Sequence, residues 1–138
     1  MTKKILIFGL SGSGKTTFAK KLIQQSKNTI DHYEADKVRE AFNDWDFSKL
    51  GRERQNMRMV HLSNLSKLNN KSSICDFINP YEKNRNDYNL KIFMNTVNSS
   101  NYDDTDKIFE IPKNVDYEIN FFDEELHLDI IKKIVNEL

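Results

Sequence analysis

A single cysteine, two prolines and four glycines are spread over 138 residues, and each scarcity closes off a class of protein. The lone Cys75 permits no internal disulfide and no cysteine-cluster metal site. It suits a reducing compartment, so the cytoplasm is the expected location. So little proline and glycine leaves no low-complexity linker, and no internal repeat is present, so one compact domain over 1–138 is expected. Net charge is lacking too: 21 basic residues offset 21 acidic ones. No overall field therefore argues for nucleic acid or a membrane surface as partner. There is also no long apolar run. The first one, after Met1-Thr2-Lys3-Lys4, breaks at Gly9, too short for a signal peptide or a membrane span, and a soluble protein is expected.

What is present is alternation of short apolar runs with amphipathic stretches. Ile5-Leu6-Ile7-Phe8 is continuously apolar and ends at glycine, which reads as a strand buried on both faces. The next segment predicts a helix from about Lys15 to Gln25, with Phe18, Ala19, Leu22 and Ile23 on its inner face. A strand follows at Thr29 to Glu34, then a helix from Asp36 to Phe42, and a longer one from Gly51 to Asn69 carrying Met57, Val60, Leu65 and Leu68. Ser73 to Ile78 reads as a third strand closed by Asn79-Pro80, and Leu90 to Met94 as a fourth. Asn98 to Asp106 is polar and reads as loop, Val115 to Phe122 as the last strand, and Asp123 to Leu138 as a closing helix with acids at its start. Strands alternating with helices predict a three-layer α/β fold around a mainly parallel five-stranded sheet.

Three of the four glycines fall in Gly9-Leu10-Ser11-Gly12-Ser13-Gly14-Lys15-Thr16, between the first strand and the first helix. This is the pattern of a phosphate-binding P-loop. Glycines let successive backbone N–H groups turn inward around phosphate oxygens, and the helix start directs its positive end at the anion. Lys15 is placed to reach the β- and γ-phosphates and Thr16 to hold Mg²⁺. The nucleotide-binding set is Gly9, Ser11, Gly12, Ser13, Gly14, Lys15, Thr16 and Thr17, and the expected cofactors are ATP and Mg²⁺.

Beyond that loop, Glu34-Ala35-Asp36-Lys37-Val38-Arg39, Phe47-Ser48, Arg52 and Phe77-Ile78-Asn79-Pro80-Tyr81 occur in the order of the motifs of adenylylsulfate kinases, and the chain resembles that family over most of its length. The resemblance implies the P-loop nucleotide-kinase fold. It also implies transfer of the γ-phosphate of ATP to the 3′-hydroxyl of adenosine 5′-phosphosulfate, and commonly a homodimer. Glu34-Ala35-Asp36 stands where the family has Asp-Gly-Asp, so Asp36 is carried over as a catalytic and metal-binding acid. An aspartate opening a predicted helix is also a common N-cap, and the residues alone leave both readings open. By the same resemblance Arg39, Phe47, Arg52, Gln55 (where the family has Asn), Asn79, Pro80, Tyr81 and Tyr102 are substrate-binding positions. Phe47 and Tyr102 would enclose the acceptor's adenine between two rings. Without the alignment, Tyr102 reads as a loop anchor. Arg54 reads as a solvated residue of a helix first turn, and Trp45 as packing.

Three departures qualify the resemblance. Asn79 stands where some family members carry a phosphorylated serine, which excludes a covalent phosphoserine step but not direct transfer. Asp76 ends the third strand, a position from which a carboxylate can bind Mg²⁺ through water. The basic helical lid of the family is reduced: no lysine or arginine occurs between Lys91 and Lys107. The lid's cation then has to come from Arg85, from a partner subunit, or from nowhere. The alternatives to an adenylylsulfate kinase are a P-loop kinase for another small-molecule or nucleoside hydroxyl, and a nucleotide-binding module without catalysis. His32, His61 and His127 show no ligand spacing and read as surface or half-buried residues. Cys75 reads as core.

Overall fold

A computed structural model describes residues 2–138. Its centre is β1 (Lys4–Phe8), whose side chains alternate between two apolar layers. Ile5 and Ile7 point into one core with Phe18, Ala19 and Leu22 of α1 (Lys15–Gln25) and Ile131 and Ile134 of α5 (Glu124–Glu137). Leu6 and Phe8 point into the other, with Val38 of α2 (Ala35–Phe42), Met59 of α3 (Lys49–Leu68) and Cys75. A strand covered on both faces has no polar side to show, which is why its sequence reads as an unbroken apolar run.

The sheet order is β2-β3-β1-β4-β5, with β2 at Ile30–Glu34, β3 at Ser72–Phe77, β4 at Leu90–Met94 and β5 at Tyr117–Ile119. All four pairings are parallel, so the carboxyl ends of the strands and the loops after β1, β2, β3 and β4 gather on one edge. In open α/β sheets that edge is where ligands bind. Cys75 lies in the core as expected, fully buried, and burial pushes its thiol up to about 12.

Four expectations need correction. The stretch read as loop from Asn98 to Asp106 contains α4 (Asp103–Ile108), a short helix whose three aspartates, Asp103, Asp104 and Asp106, lie in its first turn. Acids favour that end of a helix electrostatically, which the apolar periodicity could not report. The last strand is only Tyr117–Ile119, and Phe121 and Phe122 beyond it are exposed. Helix α3 turns Met57, Leu65 and Leu68 to solvent and buries Gln55, Asn56, Met59, Ser63 and Ser66. Part of that inner face pairs with β2: the Tyr33 hydroxyl lies 2.6 Å from Ser66 Oγ, which donates to Asp31 Oδ2 at 2.6 Å. Trp45, expected to pack, is half exposed on a cavity rim. Among the described residues, no helix is long and apolar enough to cross a membrane.

Candidate active site

The phosphate loop follows from where β1 ends. Gly9 has φ 151°, and a Cβ there would lie 2.5 Å from the Met94 carbonyl oxygen at the end of β4, so the chain leaves the sheet in a space that only glycine fits. Gly12, at φ 82°, has nothing within 4 Å of where a Cβ would be, so the loop opens onto free space rather than protein. Helix α1 then starts from Gly14 with no side-chain cap and no acid in its first turn. Its first N–H groups are left for an anion. The loop is pinned by Thr96, whose hydroxyl donates to the Ser13 carbonyl at 2.8 Å. Lys15 folds over it, with Nζ donating to the Leu10 carbonyl at 3.0 Å. Burial pushes the Lys15 ammonium down to about 8, against the opposing pull of Asp76 and Asp36. A buried ammonium with so few partners has donors to spare for an anion.

Next to the loop stands a group of acids. The Thr16 hydroxyl donates to Asp76 Oδ1 at 3.1 Å, and Asp76 is 4% exposed near the end of β3. The parallel register sets Glu34 of β2 opposite Asp76. His32, two residues earlier on the same face, reaches Asp76 Oδ2 with Nε2. His32 is half-buried, within the expected range, and it touches the acid beside the phosphate loop. Glu34 is paired with Lys37 at 2.6 Å. Asp36 is not the cap of α2, which is Glu34. It lies in the first turn, exposed and lining the cavity, and no hydrogen bond engages it among the described residues. This geometry removes the N-cap reading and leaves its carboxylate available. The period-2 alternation of β2 was a usable signal for His32 and Glu34, but their shared partner lies 44 residues from His32 along the chain.

One cavity of about 1040 Å³ runs from the phosphate loop past these acids to the far predicted residues. Ser11, Lys15, Thr16, Asp36, Arg39, Phe47, Arg52, Gln55, Asp76, Asn79, Pro80, Tyr81 and Tyr102 all line it. Gly9, Gly12, Ser13, Gly14 and Thr17 belong to the loop or helix start behind it. Arg39 is 5% exposed, its Nη1 donating to the carbonyls of Asp44 and Asp46 at 3.0 and 3.1 Å and its guanidinium 4.3 Å from the Phe47 ring centre. Arg52 donates to the Phe47 carbonyl at 2.8 Å and to Thr105 Oγ1 at 3.1 Å, and lies 5.5 Å from the same ring. Phe47 is therefore a platform shared by two guanidiniums. Gln55 is less available than a substrate contact needs, since its amide donates to the Ala35 carbonyl at 3.0 Å and accepts from Arg58 at 3.3 Å. Arg54 is tied to Asp44 and Asp46, a surface network as expected. Tyr102, 60% exposed just before α4, stands on the cavity wall and anchors no core.

One residue behaves differently from expectation. Arg85 cannot act as the missing lid cation. It is 1% exposed and donates to the carbonyls of Asn79, Pro80 and Glu110 at 2.9, 3.0 and 2.7 Å. Its guanidinium also stacks on Phe8 and Phe109 at 4.4 and 4.9 Å. It braces the loop after β3 from behind. Asn79 has φ 45°, a left-handed conformation that asparagine tolerates, and its side-chain amide is buried with no protein partner.

The adenylylsulphate kinase family model matches residues 1–98, well over half of the chain. A sequence search of curated proteins returns no match. Among solved structures, the Mycobacterium tuberculosis APS kinase CysC in complex with AMPPNP and APS superposes with a TM-score of 0.75 at 19% identity, covering 99% of this chain and 98% of that one. The hexameric APS kinase from Thiobacillus denitrificans gives 0.74 at 22% identity over 97% of this chain and 29% of that one. Shikimate kinase from Acinetobacter baumannii in complex with shikimate gives 0.64 at 14% identity, over 99% and 95%. At these identities the superpositions show the fold, and the family match carries the rest: the chain belongs to the adenylylsulphate kinase family of P-loop kinases.

Proposed function

We propose that the protein transfers the γ-phosphoryl group of ATP to the 3′-hydroxyl of adenosine 5′-phosphosulfate. The observation that supports this reading is the one cavity lined by Lys15 and Thr16 of the phosphate loop, by Asp36, and by Arg39, Phe47, Arg52 and Tyr102. ATP enters with its phosphates on the backbone N–H groups of the loop and on Lys15. The Thr16 hydroxyl and the carboxylates of Asp76 and Asp36 are oxygen donors that suit Mg²⁺, which when bound supplies positive charge to the phosphate oxygens. The acceptor lies across Phe47 and Tyr102, its anionic groups toward Arg39 and Arg52. Its hydroxyl oxygen attacks the γ-phosphorus, the bond to the β-phosphate oxygen breaks, and Asp36 takes the hydroxyl proton.

A second reading is favoured by one feature. Asp103 and Asp104 line this cavity, and carboxylates there oppose a strongly anionic acceptor. Another hydroxyl substrate of lower charge fits that wall better. An ADP-release assay with adenylyl sulfate, paired with chromatography for the 3′-phosphorylated product, separates the readings. Product formation supports the first. ADP release with a different hydroxyl compound and none with adenylyl sulfate supports the second. Tight nucleotide binding with no transfer to any acceptor would leave a binding module.

A further inference from the structure

Beside the phosphate loop lies a donor set that the kinase reading uses only in part. His32 and Glu34 share one face of β2, and the register brings Glu34 opposite Asp76 on β3. One ligand atom from each of His32, Glu34 and Asp76 lies within 4.8 Å of the other two. All three side chains are shielded, at 15%, 13% and 5% exposure. Asp76 divides its oxygens between two directions: Oδ1 accepts from the Thr16 hydroxyl, and Oδ2 faces His32 Nε2. A histidine held only to orient Asp76 has no need of a second carboxylate converging on the same point. Lys37 holds Glu34 Oε2 from the solvent side, being itself 77% exposed. It is a surface partner, and the contact takes one of the two Glu34 oxygens.

We infer that His32, Glu34 and Asp76 form a seat for a divalent cation of the Mn²⁺, Co²⁺ or Zn²⁺ class. It is separate from the oxygen-lined place at Thr16 and joined to it through the Asp76 carboxylate. Mg²⁺ takes oxygen ligands and dehydrates reluctantly, whereas one imidazole with two carboxylates is a donor set of the later first-row ions. All three residues sit on two directly paired strands, β2 and β3, which is the kind of support a metal site needs. The seat lies where the cavity passes from donor to acceptor, since Glu34 and Asp76 both line it. It adds positive charge to a wall from which the lid's basic residues are missing.

The test uses the whole chain stripped with a chelator, without nucleotide or acceptor, so its failure leaves the kinase reading untouched. Titration with Co²⁺ is expected to produce visible absorption bands stronger than those of the hydrated ion and saturating at one ion per chain. Zn²⁺ should displace it, and about a hundredfold excess of Mg²⁺ should not. His32→Gln should weaken Co²⁺ binding by at least about tenfold. Pulsed electron paramagnetic resonance of the Mn²⁺-loaded native protein should register a nitrogen coupling from the imidazole, a measurement that needs no variant to fold. A spectrum like that of hydrated Co²⁺, equal binding by His32→Gln, or a Mn²⁺ signal with no nitrogen coupling overturns the proposal.

Discussion

Lys15 carries the largest electrostatic cost in the phosphate loop. Its ammonium is pushed down to about 8 by burial, so it is charged at neutral pH and loses its proton as pH rises through 8. Affinity for an ATP analogue should therefore hold steady below pH 8 and weaken above it, which calorimetry at several pH values will show. The consequence for folding has the opposite sign. The unfolded chain keeps the ordinary value of 10.5 and so binds more protons than the folded one between 8 and 10.5. The penalty of the buried charge is full below 8 and is relieved across that window. Lys15→Met should remove this contribution to the pH dependence of thermal unfolding and abolish nucleotide binding. At the other end of the cavity, Arg39→Gln and Arg52→Gln each remove a charged donor, and each should raise KM for the acceptor by roughly ten- to a hundredfold while leaving KM for ATP near its original value. Arg85 differs from both. Arg85→Met strips the donors from three carbonyls and should lower unfolding stability by about 3 kcal/mol, read by urea denaturation.

Helix α3 begins at a well-made cap. The Ser48 hydroxyl accepts from the Gly51 N–H at 3.2 Å, and Ser48→Ala should cost about 1 kcal/mol in urea unfolding. That start matters to the site because the first turns of α3 carry Arg52 and Gln55. The same helix marks the limit of pattern reading. The Phe8-to-Thr16 segment and the strands around it were legible because close packing against a sheet forces apolar runs and because the loop needs glycine at fixed positions. The inner face of α3 was not. Ser66 is buried there against Tyr33 and Asp31 of β2, and Gln55 against the Ala35 carbonyl of α2, and such pairing leaves no period in one segment. His32 escaped notice for the same reason. Its meaning depends on Asp76, which only the strand register supplies. Arg85 looked free for catalysis because a charged residue in a polar segment usually faces water. Three carbonyls and two rings at its back reverse that expectation.

For the molecule as a whole, the parallel sheet brings the site residues to one edge, and what covers that edge is slight. Residues 95–102 join β4 to α4 with no helix of their own. The cations facing the cavity are Lys15, Lys37, Arg39 and Arg52. With so little to close over the phosphates, water should compete with the acceptor. Steady-state assays should detect ADP formation without acceptor, and saturating acceptor should suppress it. No suppression would mean that the acceptor binds elsewhere.

The same one-sided arrangement leaves the opposite edge of the sheet free, where the turns before β2 and β3 pass through exposed Asn28 and Asn70. The only native thiol is sealed in the core. Asn28→Cys would thus give the protein one addressable sulfur, on the side away from the nucleotide. A molecule tethered to a sensor surface or a fluorophore through that atom would present its binding cavity outward, in a single orientation.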